Sequence, residues 1–410
     1  MVRVRAVAAG VLAAVLLAAA AAVAHASDSE LRISVPDLRD RILGGWVGQG
    51  VGVCFGSPYE FKSCGVVIED ELHAWTPDML AGSLDQDDLY VETTFLSALE
   101  AYGPGVTYEQ AGHAFAATTF RLWHANQAGR ENVRKGIMPP MSGHPKYNIH
   151  ADDIDFQIQS DVLGLVCPGL PQSSNDLCDV FGRITNYGDA VYSGMWIASM
   201  YSQAFFEKDV EKLVVRALQS VPASSKFAGC IRDVLEWRAE HPTDWRAVWR
   251  KVEDAYNDNV DCVPRAPYNI DATLNSAYVV IALLYGGGDM AKTMEIAVRC
   301  GQDADCNASS ACGVLGCVLG LSGIPEVYKS HLPHLRDSRF SHSIYTYESA
   351  ADACVRVARR IVEQAGGKSV VEDGTEYLII PPQPALPPIT LEQWPDAEQR
   401  RVLGLPQTSP

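Results

Sequence analysis

Two acidic segments carry most of the side chains in this chain that could do chemistry: Gln86-Asp87-Asp88-Leu89-Tyr90-Val91-Glu92 and Gly301-Gln302-Asp303-Ala304-Asp305-Cys306-Asn307. Each opens a stretch that reads as a largely apolar helix. The stretch after Asp305, Cys306 to Gly320, is rich in Ala, Gly, Ser, Cys, Val and Leu all the way round, the composition of a helix buried on every side. Carboxylates at such a place repel one another by roughly 1 kcal/mol per pair even in a water-like dielectric, and by more when buried. A divalent cation relieves that repulsion, and oxygen ligands alone favour Mg²⁺, Ca²⁺ or Mn²⁺ over zinc. Asp87 and Asp88 are adjacent, so in a helix their side chains diverge by about 100°. Asp303 and Asp305 point the same way if their segment is extended. The alternative for either pair alone is an N-cap or a first-turn acid facing the helix dipole.

The elements that would position these groups are helices. The 3.6-residue periodicity predicts helices over residues 39–55, 91–102, 108–126, 190–206 and 210–221. Further helices are predicted over 225–240, 245–256, 272–284, 290–299, 308–319 and 349–364, and a shorter one over 156–165. Turn signals such as Tyr102-Gly103-Pro104-Gly105 and Gly286-Gly287-Gly288-Asp289 separate them, and no convincing strand appears. No regular repeat argues for a solenoid. The expectation is a single compact all-α domain over residues 27–370. Residues 371–410, with Pro381, Pro382, Pro384, Pro387 and Pro388, read as a tail that is extended or disordered.

Composition excludes several classes of function. Met1 to Ala26 has Arg3 and Arg5, an apolar run from Val7 to Val23, and Ala24-His25-Ala26, which reads as a signal peptide cleaved after Ala26. An uncleaved anchor is the alternative, and the run falls short of the roughly 20 residues of a span. No later segment is expected to cross a bilayer. Removing residues 1–26 takes away two arginines and no acid, moving the net charge from −17 to −19. Such a surface repels nucleic-acid phosphates and anionic lipid heads, so neither nucleic-acid binding nor stable membrane association after cleavage is expected. The 11 cysteines are too sparse for a disulfide scaffold and form no C-x-x-C pair. Cys300, Cys306, Cys312 and Cys317, in or beside the small-residue helix, read as small buried apolar residues. No serine, cysteine or histidine nucleophile constellation is evident. His113 and His124 read as surface or core residues of a helix, and Asn307-Ala308-Ser309 is a glycosylation acceptor only in form.

The order of motifs resembles a known family. Gly44-Gly45-Trp46-Val47-Gly48-Gln49-Gly50-Val51-Gly52 runs to Gly56-Ser57-Pro58-Tyr59-Glu60. It is followed by Gln86-Asp87-Asp88, Asn186-Tyr187-Gly188-Asp189 and Gly301-Gln302-Asp303-Ala304-Asp305-Cys306-Asn307. Over roughly Leu31 to Ala365 this is similar to the ADP-ribosylglycohydrolases, a family that includes the dinitrogenase reductase-activating glycohydrolase, ADP-ribosyl-arginine and ADP-ribosyl-serine hydrolases and a lens crystallin. The resemblance implies an all-α fold with two Mg²⁺ or Mn²⁺ ions at the base of a cleft. Asp87, Asp88, Asp303 and Asp305 would be ligands. Gln86 stands where better-known members have a metal-binding threonine, Cys306 where they usually have threonine or serine, and Leu89 replaces another threonine. Gln86 can still offer an amide oxygen, and Cys306 its backbone or its packing.

The resemblance also implies roles for residues outside the acidic pairs. A glutamate matching Glu60 sits on a mobile flap in the serine-directed members, so Glu60 would bind metal or accept a proton; the alternative is a surface glutamate in a turn. Glu92 could reach the same ion, or be an acid at the edge of the core. His150-Ala151-Asp152-Asp153-Ile154-Asp155-Phe156-Gln157 resembles a segment of a divergent branch, where Asp155 would line the ribose or diphosphate pocket; the alternative is a solvated loop. Asn186, Gly188 and Asp189 would contact the adenosine end of the substrate; the alternative is a turn and a cap. The implied reaction is metal-assisted hydrolysis of a glycosidic bond of an ADP-ribosyl group, through an oxocarbenium-like state. Metal would orient the ribose hydroxyls and activate water, with Glu60 or one of the aspartates, Asp303 foremost, as general base. The alternatives are another ribosyl or nucleoside-like glycoside as substrate, or a binding or structural paralogue without turnover. Oligomeric state is not legible in the sequence.

Overall fold

Caps set many of the helix starts. Ser34 Oγ accepts from Asp37 N at 3.2 Å to begin the first helix, Thr107 and Gln110 form a reciprocal capping box, and Asp289 accepts from Lys292 N at 2.8 Å. The computed structural model describes residues 30–257 and 267–393 together with Arg401. The expected signal peptide, Met1 to Ala26, lies outside the described residues.

In chain order the elements are β1 (Leu31–Ser34), α1 (Val35–Gly56), α2 (Asp87–Tyr102), α3 (Tyr108–Ala116) and α4 (His124–Arg134). Then come α5 (Asp161–Leu165), α6 (Pro171–Gly182), α7 (Asp189–Ala204) and α8 (Val210–Ala217). They are followed by α9 (Lys226–Glu240), α10 (Trp245–Tyr256), α11 (Ala272–Gly286) and α12 (Met290–Arg299). Last are α13 (Ala304–Gly323), the single turn α14 (Glu326–Lys329), α15 (Tyr347–Gln364), β2 (Lys368–Glu372) and β3 (Thr375–Ile380). The fold is all-α, as expected, with one small antiparallel sheet in the order β1-β3-β2. Leu31 pairs with Ile380 and Ser369 with Leu378.

The centre of the molecule is the crossing of α1 and α13. Gly44, Gly48, Gly52 and Gly56 recur every four residues, one stripe along α1, and against that stripe lies the backbone of α13. A Cβ at Gly48 would stand 2.2 Å from Cys312 O, one at Gly52 2.1 Å from Ala308 O, and one at Gly56 2.4 Å from the Asp305 Cα. Only glycine permits this approach. The two helices run antiparallel, so the C-terminal end of α1 meets the N-terminal end of α13. That brings Glu60 and Asp305 to the same end of the seam.

Several expectations need correction. The helix expected over 108–126 breaks after α3, because Arg134 Nε and Nη2 donate to Ala116 O and Thr118 O at 2.9 and 2.5 Å, and Arg130 Nη1 to Phe120 O at 2.6 Å. Guanidinium groups from α4 thus satisfy carbonyls that a continuing helix would have used. Residues 154–159 are a 3₁₀ turn before α5, held by Ile154 N donating to Ile270 O at 2.8 Å. The boundary drawn at 370/371 falls inside β2. Residues 381–393 have no regular structure and run along α6 and α7, where Leu386 N donates to Gln172 Oε1 at 2.7 Å. α13 does have the length and hydropathy of a bilayer span, because it is longer at both ends than its apolar run suggests. Yet 78% of its apolar window is buried inside the protein, which makes it a core helix. Every cysteine among the described residues is free, and all of them except Cys64 are buried.

Candidate active site

Asp87 and Asp88 occupy the first turn of α2, behind Gln86 as its N-cap residue, and Asp303 and Asp305 open α13. Neither Gln86 nor Asp303 caps its helix with a side-chain hydrogen bond. The capping alternative therefore fails for Asp303. The two helix starts converge: Cys306 Sγ lies 3.4 Å from Asp88 Oδ1 and donates to it. Ligand atoms of Asp303, Asp305 and Cys306 all lie within 4.8 Å of one another.

The walls are built by a loop latched to the same motif. Phe61 N donates to Gln302 O at 2.9 Å and Gln302 N to Ser63 O at 2.8 Å, which fixes Glu60 beside Asp303. On the other side Gln302 Oε1 accepts from Asn269 N at 2.7 Å, tying in the segment of Tyr268 and Ile270. The result is a cavity of about 430 Å³ whose floor and mouth include Glu60, Gln86, Asp87, Asp303, Asp305 and Cys306. Asp155 also lines it. Phe61 and Tyr268 stack with ring centroids 4.4 Å apart, and Trp123 and His124 add a further aromatic edge. Phe61, His124 and Gln302 all have positive φ, 51°, 39° and 54°, a conformation side chains with a Cβ seldom adopt. Such strain persists where surrounding structure enforces it, and here it gathers around one cavity.

The electrostatics are those of uncompensated negative charge. Burial, followed by repulsion from Asp305 and Asp87, pushes Glu60 up to about 7 although its side chain reaches solvent at the mouth. Burial and Asp305 push Asp87 up to about 6. Asp88, Asp303 and Asp305 are also raised, by burial first. The Cys306 thiol is raised as well, by burial and then by Asp303, so it stays protonated and serves as a donor to Asp88. Asp88 Oδ2 and Asp303 Oδ1 are buried without a hydrogen-bond partner. Orphaned buried carboxylate oxygens in an oxygen-rich donor set fit a hard divalent cation.

The sequence profile of the ADP-ribosylglycohydrolases matches residues 34–366. The chain belongs to that family. No curated protein matches the sequence. A solved structure described as an "ADP-ribosylglycohydrolase-related protein complex" is similar with a TM-score of 0.52 at 16% identity, covering 79% of this chain and 99% of that one. At such identity the likeness speaks for the fold alone. Membership of the ADP-ribosylglycohydrolases points to a hydrolase acting on ADP-ribose-type substrates, and the buried acidic residues are candidate metal ligands.

Not every residue expected at an ADP-ribosylglycohydrolase site lines this cavity. Asn186, Gly188 and Asp189 do not. Asn186 Nδ2 donates to Asp153 O at 2.7 Å and to Ala151 O at 3.2 Å, Gly188 N donates to Glu392 Oε2 at 3.2 Å, and Asp189 Oδ1 accepts from Phe227 N at 2.9 Å. Their polar groups are occupied by bracing and capping, and the segment ending at Glu392 covers Gly188. Asp155 is buried with a carboxylate that accepts from Asn126 N at 2.9 Å, and burial, then Asp153, raises it to about 8. Glu92 is fully buried away from the cavity lining. His124, read from the sequence as an ordinary helix residue, lies in the cavity wall because the break between α3 and α4 places it at a helix start.

Proposed function

We propose that this chain is a metal-dependent hydrolase that cleaves the glycosidic bond of an ADP-ribosyl group carried by a protein or a small conjugate. The observation that carries this reading is the meeting of two distant helix starts, at which Asp87, Asp303 and Asp305 line one cavity with aromatic walls and Asp88 lies buried behind them against Cys306. The cavity's volume falls within the roughly 300–1,000 Å³ usual for small-ligand sites. Asp87, Asp88, Asp303 and Asp305 would hold Mg²⁺ or Mn²⁺, two ions in the reading drawn from the family, with the Gln86 amide oxygen as a further donor. Bound there, the ions would supply Lewis acidity and orientation for vicinal ribose hydroxyls.

The chain's own residues account for the rest. Glu60 stands at the mouth beside Asp87 and Asp305 and, with cations balancing those carboxylates, would be ionised and able to accept a proton. Its place at the mouth lets it take a proton from water attacking the anomeric carbon. Phe61 and Tyr268 offer flat faces for an adenine ring and exclude water from that side. Cys306 keeps Asp88 oriented through its S–H donation.

The test is release of ADP-ribose from ADP-ribosylated arginine, ADP-ribosylated serine and ADP-ribose glycosides with Mg²⁺ or Mn²⁺, beside Asp303→Asn. Release that requires metal and disappears in the variant supports the reading and identifies the linkage. No release from any of them, with metal bound, would assign the site to another glycoside or to binding alone. We propose in addition that the chain is exported after cleavage at Ala26, which mass spectrometry would check by finding Ser27 as the first residue.

A further inference from the structure

His124, His150 and Asp153 form a second cluster, in which one ligand atom from each residue lies within 4.8 Å of the others. Asp153 Oδ2 stands 3.4 Å from His124 Nδ1 and 3.3 Å from His150 Nδ1. The Asp153 carboxylate is wholly buried, whereas the two imidazole side chains are about one quarter exposed, 25% and 26%. The backbone around it is pinned: Asn186 Nδ2 donates to Asp153 O, Asp153 N to His150 O at 3.0 Å, and Asp153 bridges Asp271. His124 is held at its positive φ at the start of α4.

The spacing leaves room for an ion between the three residues. A charge-assisted N–H to carboxylate hydrogen bond is typically about 2.7–2.9 Å long. Ligand atoms at the corners of a tetrahedron around zinc, with bonds of roughly 2.0–2.1 Å, stand roughly 3.3–3.4 Å apart. The two edges at Asp153, 3.4 and 3.3 Å, fit the second length, and one ligand atom of each of the three residues lies within 4.8 Å of the others. His150 Nδ1 is buried without an aligned hydrogen bond, as an atom aimed at an ion would be.

We infer that His124, His150 and Asp153 form a site for a borderline first-row divalent ion such as Zn²⁺, behind the cavity wall at His124 and separate from the carboxylate-rich floor. Two nitrogens and one carboxylate oxygen suit zinc, cobalt or nickel rather than magnesium. Three protein ligands leave a position open for water or for an oxygen of a ligand. His124 lines the same cavity as Asp303, so that ligand would come from the cavity. The site does not depend on the glycohydrolase reading.

The experiment uses Co²⁺ as the probe, in the mature chain carrying Asp303→Asn and Asp305→Asn and with Mg²⁺ in excess, so that the carboxylate floor does not compete. One Co²⁺ per chain is expected, with visible d–d bands and no thiolate charge-transfer band, since no cysteine belongs to the cluster. Adding His150→Ala should weaken binding at least about 100-fold, beyond what loss of an outer-shell partner does. His124→Gln is the second variant, and circular dichroism verifies that both are folded. Loss in either folded variant supports the site. No Co²⁺ uptake, or uptake unchanged in both variants, overturns it and leaves a hydrogen-bonded His-Asp-His cluster.

Discussion

Glu60, Asp87, Asp88, Asp303 and Asp305 hold their protons more tightly than free carboxyls do, and the sign of the consequence is fixed. Because the folded values lie above the unfolded ones, the folded chain binds more protons between about pH 4 and 7, and stability falls as pH rises through that window. Metal-free protein should therefore melt at a progressively lower temperature from pH 5 to pH 8, after allowance for the rest of the chain. The rise in melting temperature on adding Mg²⁺ should grow over the same range, because the ion binds the deprotonated groups. A melting curve indifferent to metal, in both the wild type and Asp303→Asn, would count against the floor as a cation site. Glu60→Gln should lower kcat by about 10²- to 10⁴-fold, the usual worth of a general base, in a single-turnover assay of ADP-ribose release. The meeting of Asp87, Asp303 and Asp305 was legible in the sequence because paired carboxylates seldom open an apolar helix. His124, Phe61 and Tyr268 were not, since chain breaks and positive φ bring them to the cavity and neither leaves a periodic signal. Asn186, Gly188 and Asp189 lie outside the cavity lining, and a turn followed by a capping aspartate reads the same in sequence whether it serves a ligand or a neighbouring helix.

Among elements, α1 and α13 decide the geometry of the floor. Gly52→Ala would place a methyl group 2.1 Å from a backbone oxygen that cannot rotate away. We expect a loss of about 2–3 kcal/mol, the upper part of the range for overpacking, read as a lower midpoint in urea. The displacement would be felt at the cavity, so metal affinity should fall even though no ligand has changed. The spans of α10 and α12 agree with the periodicity residue for residue, and most other boundaries shift by a few positions. The hairpin of β2 and β3 was overlooked beside the nearby prolines. Yet its turn, Asp373-Gly374 with φ of 48° and 79°, is the Asp-Gly pair that a two-residue hairpin favours. The arginines that end α3 act from the next helix, so no local window around residue 117 reports them.

At the scale of the whole molecule, the segment after β3 acts as a strap. Arg183 Nη1 bonds Glu392 Oε1 at 2.5 Å, Gly188 N donates to Oε2 of the same carboxylate, and Glu392 N donates to the Tyr192 hydroxyl at 2.7 Å. Arg183 and Glu392 are both largely buried, so Glu392→Ala should cost about 1–2 kcal/mol, seen as a melting temperature lower by a few degrees. The glycine seam has a further consequence during synthesis. Gly52 finds its partner at Ala308 only after about 250 further residues have been made, a delay on the order of tens of seconds at typical elongation rates. Throughout that interval the stripe of α1 lacks the surface it was shaped for, and the two halves of the acidic floor cannot meet. A polypeptide released before α13 begins would carry Glu60, Asp87 and Asp88 without Asp303 and Asp305 opposite them, so the full charge repulsion of the floor arises only once the surrounding core is nearly finished.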